Sequence, residues 1–385
     1  MKILTNIRFF KLAGIAQTLS SLSSYVQKQS DSKKLELVGV EIIRSNDPKA
    51  MPSVKESKEN SFKVITAAIP HPDIKDLIKR TKNIANVQDA LDPIVDQYQE
   101  IICHEKPDAV LLNGTYYLPW CLFLAAKNIV KNIVLHYHGS LTKETEHYPE
   151  PMKMIFRQME KIFDSDRLRY IFPSLLAKNT VAKEVFRREP KHFCVLPNPI
   201  PLHFFNAVKK TDGLARHIGA IVRWRHIKNI SFIERFAVHN AHLIKGVTLN
   251  ILTDLMTVAN VPSHVRRLVK FASPMESTRL ARFYSKMDVV ICPSRFETYG
   301  NVAQEAVACG TPALISKNMG VAETFKKFGI DRWITDFSSP AGVLHAIEAA
   351  AADEVGIGLR QELKNELNPD RIHGMLLNYV MSGQN

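Results

Sequence analysis

Cysteine and glycine are few in this sequence, and proline is no more frequent than average. The five cysteines are an odd number, and none pair as CxxC. This pattern argues against a disulfide framework and against a zinc site, and it predicts a reduced, cytoplasmic protein. Sixteen glycines and 20 prolines among 385 residues are too few for a collagenous or linker-dominated chain. With 45% hydrophobic residues the chain can bury ordinary cores, and its length predicts two or three domains.

Long apolar runs are also lacking. Leu12–Ala16 is shorter than the core of a signal peptide. The uncharged run Ala109–Ala126 approaches the lower limit for a membrane span, but Asn113, Gly114 and Pro119 interrupt it. We therefore interpret this run as a strand, a loop and a helix, and expect no transmembrane segment.

The net charge of +13 is the unusual feature of the composition and points to an anionic partner. Residues 153–192 hold ten Lys/Arg against five Asp/Glu, and residues 75–82 form a second basic stretch. One interpretation is peripheral docking on the anionic inner face of the cell membrane, helped by an interfacial helix with Met152, Met154, Ile155 and Phe156. The other is a solvated basic surface. Nucleic acid is not expected as a partner, because no zinc finger or RNA-binding signature accompanies the charge.

Short apolar runs alternate with amphipathic stretches, which is typical of repeated β-α-β units. The predicted strands are Lys2–Thr5, Leu35–Ile43, Phe62–Ile69, Ala109–Asn113, Ile133–Tyr137, Tyr170–Phe172, Phe193–Leu196, His217–Arg223, Thr248–Thr253, Leu268–Phe271, Val289–Pro293 and Pro312–Ile315. Predicted helices include Ile74–Ile84, Asp92–Cys103 and Leu175–Phe186. Residues 109–112 are apolar on both faces, which predicts a parallel sheet covered by helices.

The pattern breaks at residues 197–201, where three prolines in five residues exclude a helix or a central strand. We expect a first Rossmann-like domain over residues 1–205 and a second over 206–370. Open α/β sheets bind ligands outside the carboxyl ends of their strands. The expected site is therefore the cleft between the two sheets.

The most informative motif follows the predicted strand Val289–Pro293. A polar loop containing Glu297 leads into a helix that starts near Gly300 or Asn301 and contains Glu305. Gly300 allows a ligand to approach the backbone, and the helix N-terminus suits a phosphate. Glu297 could accept hydrogen bonds from sugar hydroxyls and Glu305 could bind a ribose diol. The alternative is that Glu297 is simply a carboxylate favoured by the dipole at the start of the helix, and that Glu305 is a surface residue.

This stretch resembles the E-x7-E signature of retaining glycosyltransferases with the GT-B fold, particularly family 4. Glu297 and Glu305 have the signature spacing, Tyr299 stands where the family usually has Phe, and "AVACGTP" at 306–312 resembles the family's "AMACGxP". Residues 320–323 resemble "GGxxE", with Met319 in place of the first Gly. The resemblance implies an α/β protein of two doubly wound domains facing across a cleft, with Glu305, Tyr299, Gly300 and Asn301 at the donor. It also implies a terminal helix over residues 371–385 that crosses back to the first domain.

A second motif has Arg223 at the end of a strand and Lys228 five residues later. Two cations in such a loop can hold a diphosphate, although from the residues alone a solvated basic loop is the simpler explanation. The segment resembles the family's "GRxxxxKG/N", which implies that Arg223 and Lys228 bind the donor pyrophosphate. Arg225 is an additional cation beside them.

Two matches fall in the first half. His138-Gly139 resembles the family's "HG" turn, which implies that His138 reaches the donor sugar, with His136 as a core-side alternative. Gly14 follows the first strand where the family has a Gly-rich loop near the donor phosphate. Asn198 resembles the family's "PNG" turn, which we interpret as structural.

The resemblance implies a retaining, metal-independent hexosyltransferase without a cofactor. A nucleotide-sugar, with UDP ahead of GDP, would donate to a hydroxyl of a glycan or lipid-linked acceptor, as in bacterial surface polysaccharide or lipopolysaccharide synthesis. Asp164-Ser165-Asp166 has the spacing of an acidic metal motif, but we interpret it as a solvated face. Alternatives are an epimerase-like GT-B enzyme and a basic nucleic-acid-binding protein.

Overall fold

The computed structural model describes residues 1–7, 14–33, 35–45, 47, 52–59, 62–81, 83–207, 214–243 and 247–384. The chain forms two compact units. Unit 1 comprises Met1–Leu196 and Ile372–Asn385, and unit 2 comprises Pro197–Arg371. The units therefore divide at 196/197, whereas the sequence analysis placed the boundary at 205/206.

Unit 1 is built on a mostly parallel sheet. Its strands are β1 (Lys2–Ile7), β2 (Glu36–Ser45), β3 (Ser53–Glu59), β4 (Phe62–Pro70), β5 (Ala109–Asn113), β6 (Asn132–His136), β7 (Leu168–Phe172) and β8 (Phe193–Val195), in the order β3-β4-β2-β1-β5-β6-β7-β8. Its helices are α1 (Gly14–Lys33), α2 (Ile74–Arg80), α3 (Ile84–Asp89), α4 (Asp92–Glu105), α5 (Tyr117–Ala126), α6 (Leu141–Glu144), α7 (Glu150–Lys161) and α8 (Leu175–Thr180), which continues as a π-helical turn (Val181–Phe186). Strands β5 and β6 are buried along their whole length, as their apolar sequences predict.

Unit 2 is a second parallel sheet. Its strands are β9 (His217–Ile221), β10 (Thr248–Leu252), β11 (Val269–Ala272), β12 (Val289–Cys292) and β13 (Ala313–Ile315), in the order β11-β10-β9-β12-β13. Its helices are α9 (Ile230–Leu243), α10 (Leu255–Val258), α11 (Ser263–Arg266), α12 (Ser277–Ser285), α13 (Asn301–Ala308), α14 (Val321–Lys327), α15 (Pro340–Ala352) and α16 (Ile357–Glu366). Short 3₁₀ turns occupy Leu202–Asn206, His226–Lys228 and Asp331–Trp333.

The last helix, α17 (Pro369–Met381), followed by a 3₁₀ turn (Ser382–Gln384), joins unit 1 from Ile372 onward. The side-chain Nδ2 of Asn132 donates to the carbonyl of Val380 at 2.7 Å. The guanidinium of Arg169 lies 4.1 Å from the centre of the Tyr379 ring. These contacts fasten the end of the chain to strands β6 and β7.

The doubly wound α/β prediction is confirmed, with two corrections in unit 1. Strand β3 was missed because SVKESKE is almost entirely polar, and it pairs antiparallel with β4 at the edge of the sheet. The helix predicted over Ile74–Ile84 is two helices. Thr81 adopts an extended conformation after α2, and the Asn83 side chain caps α3 by accepting from the Ala85 amide.

The interfacial helix near residue 155 was one of two interpretations, and the structure corrects it at two of its four apolar residues, whereas Met154 is exposed. Ile155 and Phe156 of α7 are buried in the core of unit 1, so they cannot insert into a membrane. No helix in the described part of the chain is both long and apolar enough to span a membrane. Ala109–Ala126 forms β5, a loop and α5, as predicted.

Candidate functional site

The loop after β12 is held in place by the segment that precedes α14. The Glu297 amide donates to the carbonyl of Asn318 at 3.1 Å, and the Glu297 carbonyl accepts from the amide of Gly320 at 3.1 Å. Glu297 and Met319 thereby form a parallel bridge outside the sheet. The two loops that carry the E-x7-E and "GGxxE" resemblances are thus fastened together through their backbones.

The loop after β9 contacts the loop after β12. Strands β9 and β12 are parallel neighbours, so their carboxyl ends lie at the same edge of the sheet. The Arg295 amide donates to the carbonyl of Ile227 at 2.8 Å. Lys228 Nζ lies 2.9 Å from Glu297 Oε1, and the Ser294 hydroxyl donates to that same oxygen at 2.5 Å. The Lys228 and Glu297 side chains are 27% and 22% exposed, so this ion pair is open to solvent on one side.

Arg223 lies two residues beyond β9 and is exposed. Its carbonyl accepts from the amide of Arg225 at 2.7 Å, which forms the turn leading to Lys228. Among the described residues, no side chain forms a hydrogen bond or ion pair with its guanidinium. Within the described part of the chain, Lys228 therefore has a fixed anionic partner and the Arg223 guanidinium has none.

Gly300 occupies the position where α13 begins. Its φ of 121° is rarely adopted by residues with a side chain. A Cβ added there would lie 2.6 Å from Met319 Cε and 3.1 Å from Val321 Cγ1. Glycine is needed here for its backbone conformation and for close packing against the next loop. The helix predicted to start near Gly300 or Asn301 is confirmed as α13.

Two of the predicted donor-binding residues make internal contacts in unit 2. Asn301 Oδ1 accepts from the side-chain Nδ2 of Asn198 at 2.8 Å, and this bond connects the Pro-Asn-Pro segment to the start of α13. Tyr299 is buried, and its hydroxyl donates to Gln304 Oε1 at 2.9 Å and lies 3.0 Å from Thr324 Oγ1. The role of both residues at a donor stays a prediction.

Glu305 is not the surface residue of the alternative interpretation. It is only 7% exposed, and its Oε2 accepts from the Tyr284 hydroxyl at 2.8 Å. Burial raises the pKa of Glu305 to about 7, and the hydrogen bond from Tyr284 opposes this effect. A carboxyl group that binds a proton near neutral pH can accept or donate a hydrogen bond, depending on pH.

In unit 1, a hydrogen-bond network determines the tautomer of His138. The Thr5 hydroxyl donates to the carbonyl of Leu111 at 2.7 Å, so its oxygen accepts from Asn113 Nδ2 at 2.6 Å. This orients Asn113 Oδ1 toward His138 Nε2, 3.2 Å away. An amide oxygen can only accept, so Nε2 carries the proton. Burial lowers the pKa of His138 to about 4, and the ring is neutral at pH 7.

The other first-half candidates differ in how far the structure describes them. His136 is the last residue of β6, its ring centre lies 4.1 Å from that of His138, and burial holds its pKa well below the usual value. This placement fits the core-side alternative. Gly14 is the first residue of α1, and residues 8–13 before it lie outside the described part of the chain.

Asp164 and Asp166 form ion pairs with cations. Asp164 Oδ1 lies 2.6 Å from Arg188 Nε, and Asp166 accepts from Arg188 at 2.8 Å and from Lys191 at 2.5 Å. Both residues were predicted to lie on a solvated face. In the structure they lie in a loop, and each carboxylate has a positively charged partner. The absence of a metal requirement stays a prediction.

Sequence reasoning missed three residues of these arrangements. Ser294 supports Glu297, and its position directly after the strand was the only signal for it. Asn113 was noted only as the end of a predicted strand and as an interruption of an uncharged run, yet it orients His138. Met319 was noted as a departure from glycine, and the structure shows its side chain packed over Gly300.

Comparisons with known proteins show what the chain is similar to. A family profile described as "Glycosyl transferases group 1" matches residues 264–367, which include Glu297 and Glu305. The D-inositol 3-phosphate glycosyltransferase 2 of Catenulispora acidiphila is 40% identical over 70 residues, 16% of this chain and 16% of that relative. The D-inositol 3-phosphate glycosyltransferase of Geodermatophilus obscurus is 35% identical over 119 residues, 31% of this chain and 26% of the relative. The chain thus matches about a quarter or less of the length of these curated relatives.

Solved structures match over nearly the whole chain. A sucrose-phosphate synthase from Thermosynechococcus elongatus superposes with a TM-score of 0.75 at 16% identity, over 99% of both chains. A glycosyltransferase from Rickettsia africae gives 0.69 at 13% identity, over 99% of this chain and 98% of the other. Identities this low establish the fold alone. The chain therefore has the GT-B fold, and residues 264–367 are similar to the group 1 glycosyltransferase family.

Proposed function

We propose that this protein is a retaining glycosyltransferase that moves a sugar from a nucleotide-sugar to an acceptor hydroxyl. The observation that carries the proposal is the ion pair of Lys228 with Glu297, located beside the N-terminus of α13 at the carboxyl edge of a parallel sheet. The match of residues 264–367 to group 1 glycosyltransferases supports it.

Cleavage of a nucleotide–sugar bond places positive charge on the sugar and negative charge on the departing diphosphate. Arg223 and Lys228 supply fixed positive charge for the diphosphate, and the first amides of α13 add their dipoles. Glu297 accepts hydrogen bonds from the sugar hydroxyls and keeps Lys228 in position before the donor binds. These groups would balance the leaving-group charge without a divalent metal, so activity should persist in EDTA.

The first test is donor binding. A ligand that binds only the folded protein raises its melting temperature by mass action. We expect one nucleotide-sugar among UDP-, GDP- and ADP-sugars to do so, with UDP-sugars tested first. Failure of all three classes at millimolar concentration would reject the proposal.

The second test concerns stereochemistry and reaction type. NMR of the product should show the anomeric configuration of the donor, and an inverted linkage would contradict retention. Incubation with donor alone separates transfer from the epimerase-like alternative, because only an epimerase would produce a new sugar-nucleotide without an acceptor.

The acceptor class is a proposal of its own. A glycan or lipid-linked acceptor, as in surface polysaccharide synthesis, was expected from the sequence resemblance. The relatives in the comparison are named for D-inositol 3-phosphate, and a solved structure of similar fold is a sucrose-phosphate synthase. We therefore propose phosphorylated polyols and sugars as acceptors to be assayed beside lipid-linked glycans. Any contact with a membrane would be peripheral and electrostatic, because Ile155 and Phe156 are buried.

A further inference from the structure

Unit 1 has a surface cavity of about 440 Å³ between α7 and the π-helical turn that follows α8. Four cations line it: Arg157 and Lys161 from α7, Lys183 from the π-helical turn, and Arg187 directly after that turn. We call this the α7–π cavity. The only acid among its described lining residues is Glu184, whose carboxylate lies 2.7 Å from Lys143 Nζ. Glu184 is therefore already neutralised by a lysine that does not line the cavity.

The pairing of cations in this region depends on whether they line the cavity. Residues 153–192 contain ten Lys/Arg. The six outside the cavity each have a polar partner. The pairs are Lys153 with Glu150, Arg167 with the carbonyl of Lys127, Arg169 with Ser382, Lys178 with Glu189, Arg188 with Asp164, and Lys191 with Asp166. The four that line the cavity form no salt bridge or side-chain hydrogen bond within the described residues. General surface basicity does not explain this division.

The backbone beside the cavity is unusual in two places. A π-helical turn is rare and is often found at functional sites, and here it carries Lys183. Arg187 adopts a left-handed conformation with φ of 57°, which is uncommon for a residue with a side chain. Both features lie in the segment that presents half of the cavity's positive charge.

We propose that the α7–π cavity binds a phosphate-bearing anion. Four like charges around one cavity repel each other, and a group carrying two or more negative charges would relieve that repulsion. Guanidinium groups match phosphate oxygens in a two-point geometry, and ammonium groups add point charge. A single carboxylate would balance only one of the four charges. The ligand is a diphosphate or phosphomonoester, carried by a small soluble molecule or by a lipid headgroup.

The test uses the full chain with pyrophosphate as the probe. Because Arg223 and Lys228 are proposed to bind a diphosphate in unit 2, all measurements are made in an R223Q/K228Q background. Calorimetry gives the affinity, and hydrogen exchange should show protection of peptides covering residues 154–161 and 181–187. This design separates the inference from the proposed function, which can fail without affecting binding in unit 1.

The cavity variant is K161Q/K183Q, and the matched control is K55Q/K58Q. Lys55 and Lys58 are exposed on β3, at the opposite edge of the sheet from β7 and β8, and their removal lowers the net charge equally. We expect the cavity variant to lose about a hundredfold in affinity, about tenfold per charge-assisted bond, and the control less than about twofold. Equal losses in both variants, or no binding in the parent, would overturn the proposal.

A second arm distinguishes the two sources of the phosphate. Vesicles of phosphatidylcholine with phosphatidic acid are compared with phosphatidylcholine alone by co-sedimentation at low salt. Binding that K161Q/K183Q abolishes and K55Q/K58Q retains assigns the cavity to a lipid headgroup. Pyrophosphate binding without vesicle binding assigns it to a soluble phosphorylated molecule. Vesicle binding that both variants weaken alike means that only general basicity acts, and contradicts the proposal.

Discussion

Replacing Lys228 with Met should separate catalysis from stability. In the folded protein Lys228 Nζ lies 2.9 Å from Glu297 Oε1, with both side chains about a quarter exposed. Such partly solvated pairs contribute up to about 1 kcal/mol to stability. Glu297 also keeps its hydrogen bond from Ser294 when the lysine is lost. We therefore expect the free energy of unfolding to fall by about 1 kcal/mol or less.

The effect on turnover should be much larger. A fixed donor aimed at charge that develops in the transition state contributes about 3 kcal/mol or more, which corresponds to a loss of roughly 10²–10³ in kcat. The matched control is Lys327→Met, because Lys327 Nζ also lies 2.9 Å from a carboxylate, that of Glu366. This control should leave kcat unchanged.

The assay is steady-state transfer from the nucleotide-sugar identified by thermal shift, with urea unfolding of both variants in parallel. A kcat of K228M within about threefold of the parent would refute the role given to Lys228. An equal loss in K327M would show that the effect is not specific to the ion pair with Glu297.

Three further predictions follow from buried polar groups. Burial raises the pKa of Glu305 to about 7, so its contribution to stability is complete below about pH 4 and is lost as pH rises through 7. In urea unfolding, Glu305→Gln should reduce by about 3 kcal/mol the fall in the free energy of unfolding between about pH 4 and pH 7. An unchanged dependence of that free energy on pH would contradict the assignment. Asn113→Asp should raise the pKa of His138 above about 4, because a carboxylate favours the imidazolium; NMR titration showing no shift would disprove the contact. Tyr299→Phe leaves Gln304 without its buried donor and should cost about 1–3 kcal/mol of stability, and a denaturation midpoint equal to the parent's would exclude this.

Strand positions were predictable because central strands of a parallel sheet are buried on both faces. The continuous apolar runs in β5, β6 and β12 leave little alternative to a strand. Strand β3 gave no such signal, because an edge strand exposed to water can be polar throughout. Its position depends on hydrogen bonds with β4, which a single-sequence pattern does not contain.

The candidate site was predictable as separate motifs and not as an arrangement. Lys228 and Glu297 were each assigned a role from the residues around them. Their ion pair exists because β9 and β12 are adjacent and parallel, which places the two following loops side by side. Asn113 was passed over because its importance depends on Thr5 of β1 and on His138, which follows β6.

The sequence by itself determined the α/β class and the positions of most strands, because these depend on local periodicity. It also contained the motifs that resemble a glycosyltransferase signature, because a motif is a short-range pattern. Only the tertiary structure decided that Glu305 is buried against Tyr284 and that Lys228 pairs with Glu297. It also decided that the four cations of residues 153–192 without a salt bridge or side-chain hydrogen bond among the described residues surround one cavity. The physical reason is that burial and charge pairing depend on which elements pack together. Neighbours in space, rather than neighbours in the chain, set the pKa of a carboxyl group and the partners of a cation.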